Sequence, residues 1–176
     1  MSAPGSGFTC PICGETHEGV DAWGYAQPQY WAQLSDKQRQ ASRISDDLCA
    51  TEDQFFFVRA VLTLPLIGGP QPDFDMAVWG TVSSYDFKRY LETFESGQQA
   101  QLGEMFSYLA SDIRQFEGAL NLEADLIPRD GLRPLMRLRP SDHPLALAQK
   151  HGIRLEDALT INHQIDRQIT PAEPAA

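Results

Sequence analysis

The stretch FFFVRAVLTLPLIG, residues Phe55–Gly68, decides the fold because it is the strongest strand signal in the chain. It is rich in aromatic and β-branched residues, which favour the pleated conformation of a strand. Since side chains alternate between the two faces of a strand, one face of this segment is wholly apolar and must lie in the core. The opposite face, which includes Arg59 and Thr63, is expected to be only partly covered. The predicted core face consists of Phe56, Val58, Ala60, Leu62, Leu64 and Leu66.

The segments that follow predict two β-hairpins. Turn-forming residues at Gly68–Asp73 (GGPQPD) lead into a second strand at Phe74–Ser83, which makes an antiparallel pairing with the first strand the expected arrangement. Farther along, Ala119–Ile127 alternates apolar and polar residues, and a turn connects it to Leu132–Arg139. Matching the apolar faces of this second hairpin predicts a register with Leu126 opposite Leu132 and Arg133 opposite Asp125.

Helix signals occur after the first hairpin and near the end of the chain. Ser83 can cap a helix that ends near Gly97. Asp142 can cap another that ends at Gly152, and a last helix is predicted over Leu155–Arg167. Strands in the middle and helices toward the end indicate an α+β fold. We expect a mainly antiparallel sheet with helices packed on it and two C-terminal helices.

Length and composition indicate one ordinary globular domain. The chain has 176 residues, of which 42% are hydrophobic and 22% charged, values close to globular averages. We expect a single α+β domain over residues 8–167, which includes residues 8–20 as a zinc-hook segment. The small and polar residues at 1–7 and 170–176 predict flexible ends.

The net charge and the distribution of apolar residues limit the expected binding partners and cellular location of the protein. A net charge of −10 argues against nucleic acid and anionic membranes as partners. No apolar stretch approaches the roughly 20 residues that a membrane-spanning helix needs, and the first residues lack the pattern of a signal peptide. We therefore expect an acidic, soluble and cytoplasmic protein.

The sequence FTCPICGETHEG near the N-terminus has the form of a zinc knuckle. Two residues between Cys10 and Cys13 allow both thiolates to face one ion, and a following glycine permits the tight turn that this requires. His17 lies in the same segment, and Cys49 precedes the first long strand. These four residues predict a closed Cys3His site with a structural zinc ion. An empty or redox-active cysteine pair is the alternative.

A catalytic zinc site is the alternative to the structural one. If only three residues bind the metal, a water molecule can occupy the fourth position, and metal-assisted hydrolysis becomes possible with Glu15 or His143 as the base. His143 is otherwise a packing residue at a helix start, and Cys49 could serve as a nucleophile instead of a ligand. His151 and His163 are expected to be surface or packing residues.

An ordered series of short motifs resembles a bacterial family known as domain of unknown function 2199. The resemblance runs from Phe8 to about Asp166 and implies no established activity. The matching motifs are CPICGETH at Cys10–His17, DLC at Asp47–Cys49, FFFVRAVLTLP at Phe55–Pro65, WG at Trp79–Gly80, FKRYLE at Phe87–Glu92, LNL at Leu120–Leu122, GLRP at Gly131–Pro134 and DHPLALAQKHGIRLEDA at Asp142–Ala158.

Together these patterns predict a zinc-stabilised binding or interaction domain. Because the domain is acidic, the expected protein partner has a basic surface. A metal-assisted hydrolase with an open zinc site is the rival hypothesis. The sequence leaves open whether the protein is an enzyme.

Overall fold

The computed structural model describes residues 7–20 and 23–169 of the chain. The helices in chain order are α1 (Asp36–Ala41), α2 (Ser84–Phe94), α3 (Pro144–His151) and α4 (Leu155–Ile169), and two 3-10 helices lie at Gln29–Gln33 and Gln99–Leu102. The strands are β1 (Phe8–Thr9), β2 (Thr16–His17), β3 (Trp23–Gly24), β4 (Arg43–Ile44), β5 (Leu48–Ala50), β6 (Phe56–Ile67), β7 (Asp73–Val82), β8 (Met105–Tyr108), β9 (Glu123–Arg129), β10 (Leu132–Leu138) and β11 (Ile153–Arg154).

The long strand β6 forms the predicted antiparallel hairpin with β7. Its register runs from Phe56 opposite Val82 to Pro65 opposite Asp73. From Val58 to Leu66 every second side chain of β6 is buried, which confirms the predicted core face, while Arg59 and Thr63 on the other face are only partly covered.

The other edge of β6 is shared by three short partners. Strand β5 pairs antiparallel with Phe56–Val58, the first residues of β6. Strand β10 pairs in parallel at Val61, and β11 pairs in parallel at Leu66 and Ile67. Each part of the chain that joins the sheet here is therefore positioned directly by β6.

The strands continue around the core until the sheet meets itself. The order is β3-β7-β6-β10-β9-β8, and a further bridge joins Gly80 of β7 to Leu109 just after β8. Ala110 donates a backbone hydrogen bond to the carbonyl of Trp79 at 2.7 Å, and the Tyr108 amide donates to Thr81 Oγ1 at 2.9 Å. These contacts complete a ring of pairings around the buried side chains.

The predicted α+β class is confirmed, but the sheet is mixed and not purely antiparallel. The parallel pairs are β3 with β7, β6 with β10, and β6 with β11. Parallel neighbours need a crossover connection, and long crossovers are invisible to a pattern analysis that pairs each strand with the next one.

The predicted register of the second hairpin is wrong, and its predicted inward face is also wrong at Leu132, which is 58% exposed. Leu132 lies opposite Arg129, and after a register shift Met136 lies opposite Leu126 and Arg137 opposite Asp125. The cause is a tighter turn than expected, because β9 extends two residues farther, to Arg129. After the register shift the pairing differs from the predicted one by four residues, an even number, so Leu126 and Met136 still face inward.

The helix caps agree with the sequence signals at one helix and differ at another. Ser83 caps α2 by accepting a hydrogen bond from the Asp86 amide at 3.0 Å. The cap of α3 is His143 and not the predicted Asp142, because the His143 ring accepts from the Leu145 amide.

The predicted flexible ends, apart from Gly7, lie outside the described residues. Among the residues described, no helix has both the length and the apolar character needed to cross a membrane.

We predict that Gly80→Ala destabilises the fold, because the ring of strands closes at this residue. A Cβ atom at Gly80 would lie 2.5 Å from Ser107 Oγ and 2.9 Å from Met136 Cε. Overpacking of this kind typically costs about 1–3 kcal/mol, which denaturant unfolding followed by circular dichroism measures. In a Ser107→Ala background the nearest clashing atom is gone, so the same substitution should cost less. Equal costs in both backgrounds would contradict the close contact.

Candidate metal centre

The N-terminal hook is a short hairpin that brings its polar donors together. Phe8 pairs with His17 across strands β1 and β2. The turn is closed by the Cys10 amide, which donates to the Glu15 carbonyl at 2.8 Å, and by the Gly14 amide, which donates to the Cys10 carbonyl at 2.9 Å. Gly14 has a φ of +75°, a conformation that glycine adopts without a steric cost. The glycine therefore allows the chain to turn back so that Cys10, Cys13 and His17 lie on one small segment.

Two cysteine–histidine pairs meet at this segment. Cys10 Sγ lies 3.4 Å from His163 Nε2, and Cys13 Sγ lies 3.2 Å from His17 Nε2. The donor atoms of Cys10, Cys13 and His163 all lie within 4.8 Å of one another. Three groups of this kind at such distances could hold a metal ion.

A second group of donors shares Cys13 with the first. The donor atoms of Cys13, Glu15 and His17 also lie within 4.8 Å of one another. Cys13 is thus common to both groups, and His17 and Glu15 are the two side chains available to complete a shell around it. Of the four predicted ligands, the structure places Cys10 beside Cys13 in the first group and His17 beside Cys13 in the second, so Cys13 is the residue that links them.

Helix α4 supplies the residue that the sequence analysis missed. His163 is half-buried and lies one turn after the buried residues Ala158 and Leu159 of the same helix. The signal that could have found it is this periodicity, since residues four apart share a helix face. The position of that face against the hook depends on the tertiary fold, so the sequence pattern alone could not identify His163 as a neighbour of Cys10.

Cys10 lies in an environment that favours its thiolate form. Its side chain has no exposed surface, and burial alone would raise the pKa of the thiol. The backbone amides of Cys13 and Ile12, together with hydrogen bonds from His163 and Cys13, outweigh that effect and lower the pKa of Cys10 to about 6. Because the thiolate is the form that binds metal ions, these contacts prepare the sulfur for coordination.

Cys49 lies elsewhere. It is in strand β5 opposite Phe57 and packs with Phe57, Trp79 and Ala110 in a separate cluster at 1% exposure. Burial raises the pKa of its thiol to about 12. Among the described residues, neither group of candidate ligands includes Cys49, because its strand directs the sulfur into the aromatic cluster and not toward the hook.

His143 has both ring nitrogens engaged in structural contacts. Nδ1 accepts from the Leu145 amide at 3.1 Å, so Nε2 carries the proton and donates to the Glu117 carbonyl at 2.8 Å. A base needs a free nitrogen to accept a proton, and this arrangement offers none. The geometry favours the packing role for His143 over the role of a base.

Residues 9–153 match the model of a family described as uncharacterized protein conserved in bacteria (DUF2199). None of the curated proteins and none of the solved structures matches the chain.

We predict that His143→Ala destabilises the protein through loss of the helix cap. Losing a cap typically costs about 0.5–2 kcal/mol, and the contact with Glu117 is lost as well. His143→Asn is the matched control, because asparagine can accept from the same helix amide and should retain much of the stability. Chemical denaturation of the three proteins measures the difference, and a His143→Ala variant as stable as the wild type would show that the cap contributes nothing.

Proposed function

The chain belongs to this family of uncharacterized bacterial proteins, and we propose that it is a zinc-stabilised binding domain. In this proposal one zinc ion joins the N-terminal hook to helix α4 through Cys10, Cys13, His17 and His163. The supporting observation is the approach of Cys10 to His163, two residues 153 positions apart in the sequence, to within 3.4 Å.

The chemistry of the donors favours zinc over other ions. Two thiolates and two imidazoles form an S2N2 set, which is typical of tetrahedral zinc. Bond lengths of about 2.3 Å for Zn–S and about 2.0 Å for Zn–N place the sulfur and nitrogen atoms of a tetrahedral site about 3.5 Å apart. The two sulfur–nitrogen distances of 3.4 and 3.2 Å are close to that separation.

A crosslink would stabilise the hook, because its strands β1 and β2 contain two residues each. Within the described part of the chain they pair only with each other, and a two-stranded hairpin by itself is marginal in water. Other contacts of the hook include the packing of Phe8 and Cys10 against the core and two hydrogen bonds between Val20 and Gln71. A zinc ion shared with α4 would hold the hook against the rest of the protein, since metal binding of this kind contributes directly to folding.

Four protein ligands make the ion structural, whereas a catalytic zinc keeps one position for water. The rival function, metal-assisted hydrolysis, would require His17 to stay unbound and Glu15 to act as the base toward a zinc-bound water. Glu15 lies within 4.8 Å of Cys13 and His17, which is why the rival is retained. Full coordination by Cys10, Cys13, His17 and His163 would exclude it.

The binding part of the proposal rests on an aromatic cleft and on charge. Tyr30, Phe55 and Phe57 line a cavity of about 240 Å³, and Phe55 is 49% exposed although it is a large apolar residue. Asp53 accepts a hydrogen bond from the Tyr30 hydroxyl at 3.1 Å, which places a carboxylate beside the cleft. Because the protein has a net charge of −10, the partner we propose is a protein with a basic surface and not a nucleic acid.

The compartment we propose is the cytoplasm. It keeps thiols reduced, as the cysteine ligands of the zinc site require.

We predict about one zinc ion per chain in protein purified without chelator. Cys13→Ser and His163→Ala should each weaken zinc binding by more than about tenfold, because even changes outside the ligand shell commonly cost that much. His151→Ala and Cys49→Ala are matched controls that retain the metal. Elemental analysis and competition with a chromogenic chelator measure the content and the affinity.

Cobalt substitution separates the two functions. If four protein residues bind the ion, the cobalt-substituted protein shows the absorption spectrum of tetrahedral cobalt. This spectrum should not change when His143 or Glu15 is replaced. A spectrum that changes on adding an anion able to displace bound water would indicate three ligands and favour the hydrolase. Wild-type protein without metal would contradict both.

We predict that a partner contacts the cleft at Phe55. A photo-crosslinking phenylalanine analogue at position 55 should capture a basic protein from the native host, with capture decreasing as salt is raised. The matched control carries the analogue at Tyr85, which is 69% exposed on helix α2. Equal capture at both positions, or crosslinking to nucleic acid, would contradict the proposed interaction.

A further inference from the structure

We infer that Cys13 and Cys10 are a site of reversible oxidation by peroxide, at which a disulfide replaces the two metal-binding thiolates and releases helix α4 from the hook. The inference rests on the proposed zinc site and adds a regulation to it.

The two sulfurs are close and differ in accessibility. They lie within 4.8 Å of each other, and both cysteines are free thiols. Cys13 is exposed, whereas the Cys10 side chain is fully buried. An oxidant from solvent therefore meets Cys13 first, and the Cys10 thiol, whose sulfur lies within 4.8 Å, is placed to react with the product.

The chemistry needs only hydrogen peroxide as the oxidant. The Cys13 thiolate attacks one peroxide oxygen, the O–O bond breaks, and a sulfenic acid forms as hydroxide leaves. The Cys10 thiolate then attacks the Cys13 sulfur, an S–S bond forms, and a second hydroxide leaves. The two sulfurs together lose two electrons and peroxide gains two. Both hydroxides take protons from the solvent.

The third cysteine is protected from the same chemistry. Cys49 is 1% exposed within the aromatic cluster of Phe57 and Trp79. Burial also raises the pKa of its thiol, which keeps it in the less reactive form. Cys49 therefore serves as an internal control on every measurement of oxidation.

Oxidation would change the structure at α4 more than at the hook. The disulfide itself closes the C-x-x-C turn, so the hook stays crosslinked. His163 loses its thiolate partner, however, and α4 then depends on its apolar contacts. Phe8, Pro11, Ile67, Leu155 and Leu159 contribute the apolar lining of an open cavity of about 490 Å³ between the hook and the start of α4, so loosening of α4 would expose more of this apolar surface to solvent.

The test uses the zinc-loaded full chain. Its zinc content is measured first, and hydrogen peroxide is then added at about one equivalent. We expect release of most of the zinc, a Cys10–Cys13 disulfide in non-reducing peptide mass spectrometry, and an unmodified Cys49. Hydrogen exchange should increase at least severalfold over residues 155–163, while the β6–β7 hairpin stays protected. Reductant with added zinc should reverse all of these changes.

Two variants sharpen the result. Cys49→Ala should behave as the wild type, and Cys10→Ser should stop at a sulfenic acid on Cys13 that a dimedone probe traps. The probe gives a readout even where that variant holds zinc weakly.

Zinc retained after peroxide treatment, or zinc lost through sulfinic acid without a disulfide, would overturn the inference while leaving the zinc site intact. A chain with no zinc before peroxide would instead overturn the proposed function, and with it the regulated release.

Discussion

Burial of alternate side chains along β6 is the constraint on which the other elements depend. One face of β6 is buried from Val58 to Leu66. Neighbouring strands therefore form their backbone hydrogen bonds with β6 along its two edges. The last residues of β6 matter most for the candidate site. Leu66 and Ile67 pair with Ile153 and Arg154 of β11, and α4 begins at the next residue.

This pairing determines where both halves of the metal centre meet. Ile67 at the end of β6 shares a cavity with Phe8 and Pro11 of the hook and with Leu155 and Leu159 of α4. Once β11 is held against β6, helix α4 leaves the sheet beside the hook and its third turn places His163 near Cys10. The site at the surface is therefore a consequence of strand pairing within the sheet.

The sequence was sufficient where the signal is local and insufficient where it is tertiary. The alternation of β6, the hairpin with β7, and the pairing of Cys10 with Cys13 all depend on residues near one another in the chain. The place of His163 depends on a parallel pairing between β6 and β11, and the seclusion of Cys49 depends on strand β5 facing Phe57. The sequence around a cysteine next to a strand, or around a histidine on a helix, does not show whether the fold brings that residue to the Cys10–Cys13 segment.

The contrast between the two buried cysteines shows that burial alone does not decide the state of a thiol. Cys10 and Cys49 are 0% and 1% exposed, yet the pKa of Cys10 is lowered and the pKa of Cys49 is raised. The difference lies in their neighbours, which are backbone amides and an imidazole at Cys10 and aromatic rings at Cys49. Hydrogen-bond donors compensate for the loss of water at Cys10, and apolar rings cannot.

The spacing of the proposed ligands also determines how much a zinc ion can stabilise the whole fold. Cys10, Cys13 and His17 lie within one short segment, so even an unfolded chain could bind zinc through these three residues. An ion stabilises the native state only to the extent that it binds it more tightly than the unfolded state. That difference must come from His163, which lies 153 positions from Cys10 and reaches it only in the folded protein. The histidine on α4 is thus the ligand that couples the metal to the fold, while the three local ligands hold the ion in the hook.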